Sequence, residues 1–195
     1  MFFDIWMRLL CRLPVSVLWL LEAPAPMPEN LRRQAAVRGV DPSRLIFAPT
    51  LPQEQHLARH QLADLFLDVL PYGAHTTASD ALWSGLPVLT LPGSTFSGRV
   101  AASLLTCLGM TELIAASPQD YEAKALKLAR KPAALDALRQ KLRTARDHAP
   151  LFNGQRFARD MENIYRGIWA ARRQTAIRPG KTGGAVNGRQ MEKNG

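Results

Sequence analysis

Leu65-Phe66-Leu67-Asp68-Val69-Leu70-Pro71-Tyr72-Gly73-Ala74-His75-Thr76-Thr77-Ala78-Ser79-Asp80-Ala81-Leu82-Trp83 is the stretch that decides the fold. A short apolar run ends near Asp68, a turn of small residues around Gly73 follows, and a helix opens in a row of hydroxyl side chains. Strand, glycine-containing turn and helix, in that order, are the repeating unit of a parallel α/β sheet. The same order makes an anion site. The first N–H groups of a helix have no intrahelical acceptor, and the helix dipole favours negative charge there. Thr76 and Thr77 add hydroxyl donors and His75 a ring donor, so a diphosphate has a place to sit. A second reading stays open at this level: Thr77 and Asp80 have the spacing of a capping box, and caps occur on helices that bind nothing.

Outward from this stretch, apolar runs rich in Val, Ile, Leu and Phe alternate with segments of helical period. Strands are expected at 15–20, 45–48, 65–67, 88–91 and 112–114. Helices are expected at 5–13, 29–38, 53–60, 77–84 and 99–108, with Gly39 and Gly85 placed as C-cap glycines. The pattern predicts an open, doubly wound, Rossmann-like parallel sheet. After residue 117 it changes to helices alone, at 119–130, 133–145 and 155–173, with Pro118 and Pro132 in first-turn positions. These helices are expected to close the domain. The expected organisation is one folded domain over 1–173 and a disordered basic tail over 174–195, which is rich in Gly and has no periodicity.

One strand before the glycine turn, Pro52-Gln53-Glu54-Gln55-His56-Leu57-Ala58-Arg59 starts a short helix at the same carboxyl edge of the sheet. His56 and Arg59 are three residues apart and share a helix face, where a flat ring can be held. Such a pair alone is ordinary surface chemistry. Its weight comes from its neighbour, because ligands of open α/β sheets gather outside the strand carboxyl ends.

The chain of 195 residues carries a formal net charge of +9. From Arg172 onward, six basic residues against Glu192 account for +5 of it, so residues 1–171 carry only +4. A nucleic-acid function therefore rests on tail composition alone. Cys11 and Cys107 lack CxxC spacing and a neighbouring His cluster, which argues against a disulfide framework or a metal site. Both are expected as buried free thiols in a reducing, cytoplasmic setting. The apolar segment 13–21 lacks a clean basic region before it and is too short to span a bilayer.

Several separated motifs then fall in one order: Arg44-Leu45-Ile46-Phe47-Ala48-Pro49, His56, Gln61-Leu62-Ala63-Asp64, His75-Thr76-Thr77, Asp80-Ala81-Leu82-Trp83-Ser84-Gly85-Leu86-Pro87 and Arg99-Val100-Ala101-Ala102-Ser103. Together they resemble the C-terminal catalytic region of the O-linked N-acetylglucosamine transferase family, which includes SPINDLY-type plant proteins and bacterial members fused to tetratricopeptide repeats. The similarity runs from about Phe3 to Arg173. It implies the C-terminal half of a GT-B glycosyltransferase, binding UDP-N-acetylglucosamine for inverting transfer of the sugar to Ser or Thr hydroxyls of proteins.

By the same resemblance, His75, Thr76 and Thr77 contact the diphosphate and Asp80 the ribose, while His56, Arg59 and the backbone of Leu51 hold the uracil. His75 is also a candidate electrophile; no metal and no cofactor are implied. Animal members carry a lysine where this chain has Gln53, which removes one positive charge beside the ribose. The family's repeats and N-terminal catalytic half are absent from this sequence, so the chain is expected to be a truncated product, a separately encoded half or the result of a mis-assigned start. Its expected partners are the UDP-sugar, a protein acceptor and a separately encoded N-terminal half, with neither nucleic acid nor membrane among them. The alternative expectation is a catalytically silent nucleotide-binding or interaction module.

Overall fold

A computed structural model describes residues 1–176. The chain divides into two compact units, residues 1–153 and the segment from Gly154 onward. In the first unit the order is α1 (Phe2–Arg12), β1 (Leu18–Leu21), α2 (Met27–Val37), β2 (Leu45–Ala48), α3 (Gln53–Arg59), β3 (Phe66–Leu67), α4 (Thr76–Trp83), β4 (Val88–Leu89), α5 (Val100–Cys107), α6 (Pro118–Ala129) and α7 (Pro132–His148). The second unit contributes α8 (Gly154–Ala176). On α8 the apolar side chains Phe157, Met161, Ile164, Tyr165 and Ile168 recur at helical spacing. The helix runs into the segment expected to be a tail, and residues 177–195 of that segment lie outside the described residues.

All strand pairing is parallel, as the alternating pattern requires. β1 pairs with β2, Leu18 opposite Leu45, and β3 pairs with β4, Phe66 opposite Val88. The ladders are shorter than the apolar runs suggest. The first strand starts at Leu18, because residues 13–16 form a turn in which Ser16 N–H donates to the Leu13 carbonyl at 3.1 Å. Arg44 ties that turn down, its guanidinium donating to the carbonyls of Leu10 (3.0 Å), Leu13 (2.6 Å) and Ser16 (2.8 Å through Nε). Leu10 lies in the last turn of α1 and Leu13 and Ser16 in the turn that follows it, so Arg44 ties that turn to the helix end from a distant segment. The expected fifth strand is a 3₁₀ turn, Thr111–Leu113, joined to the sheet by a single parallel bridge between Thr90 and Ile114.

Gly39 (φ +76°) and Gly85 (φ +86°) end α2 and α4 in the left-handed region. After α4, Gly85 N–H donates to Leu82 and Leu86 N–H to Ala81, the bond pair of a Schellman ending. Pro118 and Pro132 open α6 and α7 as expected. The two cysteines depart from expectation: both are exposed free thiols. Cys11 falls on the face of α1 that carries Asp4 and Arg8, and Cys107 on the face of α5 that carries Arg99 and Ser103, so the apolar stripes of both helices bypass them.

The core lies on both sides of the ladders. On one side α4, α5 and α7 bury Ala78, Ala81, Leu82, Leu105 and Leu142 with Val88. On the other, α1 and α6 bury Ile5, Leu9, Tyr121 and Ala125 with Leu89 and Leu91. Phe2 meets the Tyr121 ring edge-on at a centroid distance of 5.4 Å. No helix among the described residues is long and apolar enough to cross a membrane.

Candidate functional site

The site is built from the turn between β3 and α4. Asp68, directly after β3, is only 3% exposed. Its Oδ1 accepts from Val69 N–H (2.8 Å) and Ala74 N–H (2.7 Å), and its Oδ2 accepts from the Thr90 hydroxyl at 2.7 Å. Its carbonyl accepts from the Tyr121 hydroxyl at 2.9 Å, and burial pushes that phenol further from ionisation. A buried carboxylate with three donors around it is a rigid pin. It fixes where the chain leaves the sheet and where it enters α4.

Gly73 is needed for a close approach. A Cβ there would stand 3.0 Å from the Ser97 carbonyl oxygen, the atom to which Gly73 N–H donates, and 3.4 Å from Asp68 Oδ2. The same Ser97 carbonyl accepts from His75 Nε2 at 3.1 Å. A carbonyl can only accept, so the proton sits on Nε2 and Nδ1 is left as the ring's other position. The His75 ring is stacked on Tyr72 (4.9 Å, 21°) and meets Phe96 edge-on. His75 is the N-cap residue of α4 and makes no side-chain cap bond. The capping-box alternative is thus unrealised, because Thr77 lies inside the first turn. Thr76 and Thr77 are exposed there, beside first-turn N–H groups that have no intrahelical acceptor.

The second motif is ordered in its own way. Arg59 Nη1 donates to the Pro49 carbonyl at 2.6 Å, and its Nη2 donates to His56 Nδ1 at 2.9 Å. The guanidinium thereby fixes the loop before α3 and leaves His56 Nε2–H as an outward donor. His60, which the sequence reading leaves outside the motifs, lies beneath: 9% exposed, with its Nδ1–H donating to the His56 carbonyl at 2.8 Å and its ring edge-on to His56 at 4.5 Å. Burial holds the His60 imidazole below the usual histidine range. Its hydrogen bond to the His56 carbonyl and the nearby Asp80 carboxylate oppose that shift, and the His56 and Arg59 charges add to it. The Asp80 influence brings the α3 motif and α4 within electrostatic reach of each other. Leu51 is half-buried ahead of α3, and Gln53 is exposed at its first position.

His60 gives the fold a pH dependence. The unfolded chain takes a proton at this residue near the ordinary histidine value of about 6.5, whereas the folded chain resists it. The stability contributed by neutral His60 is therefore complete above that value and is lost as pH falls through the depressed folded value. The wild-type melting temperature should fall between pH about 7.5 and about 5.5, and the His60→Gln chain should fall less. Parallel curves would remove His60 as the cause.

Among the described residues, no group of three or more His, Cys, Asp and Glu side chains is placed to hold a metal ion. Exposed donors at an α4 N-terminus beside a positioned histidine make the arrangement suited to an anionic ligand. A profile of glycosyl transferase family 41 matches residues 1–161. The chain belongs to glycosyl transferase family 41. Within that family it is 38% identical to the Caenorhabditis elegans UDP-N-acetylglucosamine--peptide N-acetylglucosaminyltransferase over 166 residues, 85% of this chain and 14% of the relative. It is 39% identical to the probable enzyme of the same name, SEC, from Arabidopsis thaliana over 165 residues, 84% of this chain and 17% of the relative. A solved mutant of Thermobaculum terrenum O-GlcNAc transferase superposes with a TM-score of 0.82 at 33% identity, covering 90% of this chain and 34% of the other. This family 41 chain is the C-terminal region of the transferase architecture, the α/β half of a GT-B fold, and it spans well under a fifth of those two curated relatives.

Proposed function

We propose that this chain is the UDP-N-acetylglucosamine-binding half of an inverting, metal-independent transferase that glycosylates Ser and Thr hydroxyls of proteins. In this reading it works with an N-terminal catalytic half and tetratricopeptide repeats supplied by the rest of the enzyme, in the cytoplasm. The carrying observation is the opening of α4, where Thr76 and Thr77 stand exposed beside free first-turn N–H groups and His75 is held in one tautomer by Ser97. These groups receive the diphosphate. Asp80 accepts from the ribose hydroxyls. His56 offers its Nε2–H to the uracil beside the Leu51 backbone, and Arg59 acts through His56 by holding its ring.

In the transfer step the acceptor hydroxyl oxygen attacks the anomeric carbon from the face opposite the diphosphate. The carbon–oxygen bond to the β-phosphate breaks, UDP leaves with the electron pair, and the hydroxyl proton passes to a base on the facing half. Donors already aimed at the departing diphosphate stabilise the charge that develops there without reorganisation. His75, held by its Nε2–H bond to the Ser97 carbonyl, is the proposed electrophile on this side of the cleft. Addition of UDP to isotope-labelled chain should shift the amide resonances of Thr76, Thr77 and Ala78 and the ring resonances of His56. Shifts confined to other parts of the fold would displace the site.

A further inference from the structure

His56 is held from two sides. Arg59 Nη2 donates to its Nδ1 at 2.9 Å, and the His60 ring meets it edge-on at a centroid distance of 4.5 Å and an interplanar angle of 85°. The second grip comes from the way α3 ends. His60 N–H bonds to the Leu57 carbonyl in a tightened last turn, and the His56 carbonyl accepts from the His60 ring at 2.8 Å instead. A carbonyl only accepts, so in the neutral ring Nδ1 carries the proton and Nε2 is bare. His60 thus bonds the backbone of His56 and walls its side chain at once. The inner ring, 9% exposed, is fixed by packing, and the half-buried outer ring is left open to a ligand.

The charged and titratable groups that act on His60 are His56 and Arg59 from α3 and Asp80 from α4. We propose that neutral His60 is the positioning residue of the base-binding histidine: it keeps the His56 ring where Nε2–H meets a pyrimidine base, and proton uptake at His60 releases that grip. The inference rests on the reading of His56 as the uracil contact and adds a pH control to it. A proton on His60 Nε2 makes a cation in a buried place beside the Arg59 guanidinium, which burial and like charge both disfavour. Asp80 supplies the opposing negative charge. The cation is relieved by moving toward Asp80 or toward water, and either movement takes the ring from under His56. Movement toward Asp80 also draws that carboxylate into an ion pair and away from the ribose hydroxyls. Base and ribose contacts therefore weaken together, while the diphosphate contacts at the opening of α4 do not involve His60.

The test is calorimetric titration of uridine into the full chain between pH about 8 and about 5.5. Neutral His60 is fully present above the ordinary histidine value of about 6.5 and is lost as pH falls through the lower folded value, so wild-type affinity should fall toward acid pH. At the alkaline end His60→Ala should weaken uridine by about fivefold or more. His60→Asn, whose amide nitrogen replaces Nδ1 but takes no proton, should recover most of that loss and fall less with pH. Proton uptake by His56 remains in His60→Asn, so the difference between the two profiles belongs to His60. In the ligand-free wild type the ring resonances of His56 should shift in step with the protonation of His60, a measurement that needs no variant. Parallel profiles for wild type and His60→Asn, or His56 ring resonances that ignore the His60 titration, would overturn the proposal and leave the donor reading in place. A wild-type chain that binds no uridine at the alkaline end would remove the donor reading, and the proposal with it.

Discussion

Asp68→Ala is expected to destabilise the fold by about 3–5 kcal/mol, because it strands three donors in a buried site. The carboxylate accepts from Val69 N–H, Ala74 N–H and the Thr90 hydroxyl, and Thr90 is fully buried. Each orphaned buried donor costs about 1–3 kcal/mol, and water entering the vacated space recovers part of it. A whole domain is stable by only about 5–15 kcal/mol, so the variant loses a large share. Thr90→Val takes one donor from Asp68 Oδ2 while Oδ1 keeps both of its own, and should cost less, about 1–3 kcal/mol. Urea unfolding of both variants checks the ordering. An Asp68→Ala chain within about 1 kcal/mol of wild type would show that the turn is held by other contacts.

Thr76→Ala/Thr77→Ala should leave the fold intact and weaken UDP binding by about tenfold or more. Both side chains are exposed, and alanine is the better helix former, so stability is not at risk. Hydrogen bonds to a charged acceptor contribute about 1.5–3 kcal/mol, and each 1.4 kcal/mol is about tenfold in affinity. The loss is bounded, because the first-turn N–H groups and the helix dipole survive the substitution.

Most of the helical framework was legible in the sequence, because helices carry their own signals. Pro118 and Pro132 marked starts, Gly39 and Gly85 marked ends, and the apolar period of α4 and α5 marked their buried faces. Strand extents were less legible. An apolar run reports burial, whereas a ladder needs a partner in register, and Val15 and Ile114 lie in runs whose pairing stops short. At the candidate site, the sequence singled out His56, His75, Thr76 and Thr77 because they belong to short helices that follow strands. The supports could not be found so readily. Asp68 reads as the polar end of a strand, and its partners Thr90 and Tyr121 are 22 and 53 residues away. His60 ends an expected helix and belongs to none of the motifs, and only the folded chain shows it packed against His56. Arg59 was expected beside His56 on one helix face. That its guanidinium is engaged with Pro49 and His56 was not, because a loop carbonyl leaves no trace in side-chain pattern.

The central claim, that the opening of α4 holds the diphosphate of a UDP-sugar, is tested most directly by calorimetric titration of UDP and of uridine into the wild-type chain and Thr76→Ala/Thr77→Ala. Wild type should bind UDP more tightly than uridine, and the double substitution should weaken UDP by about tenfold or more while leaving uridine unaffected. Equal UDP affinity in the two chains would contradict the account.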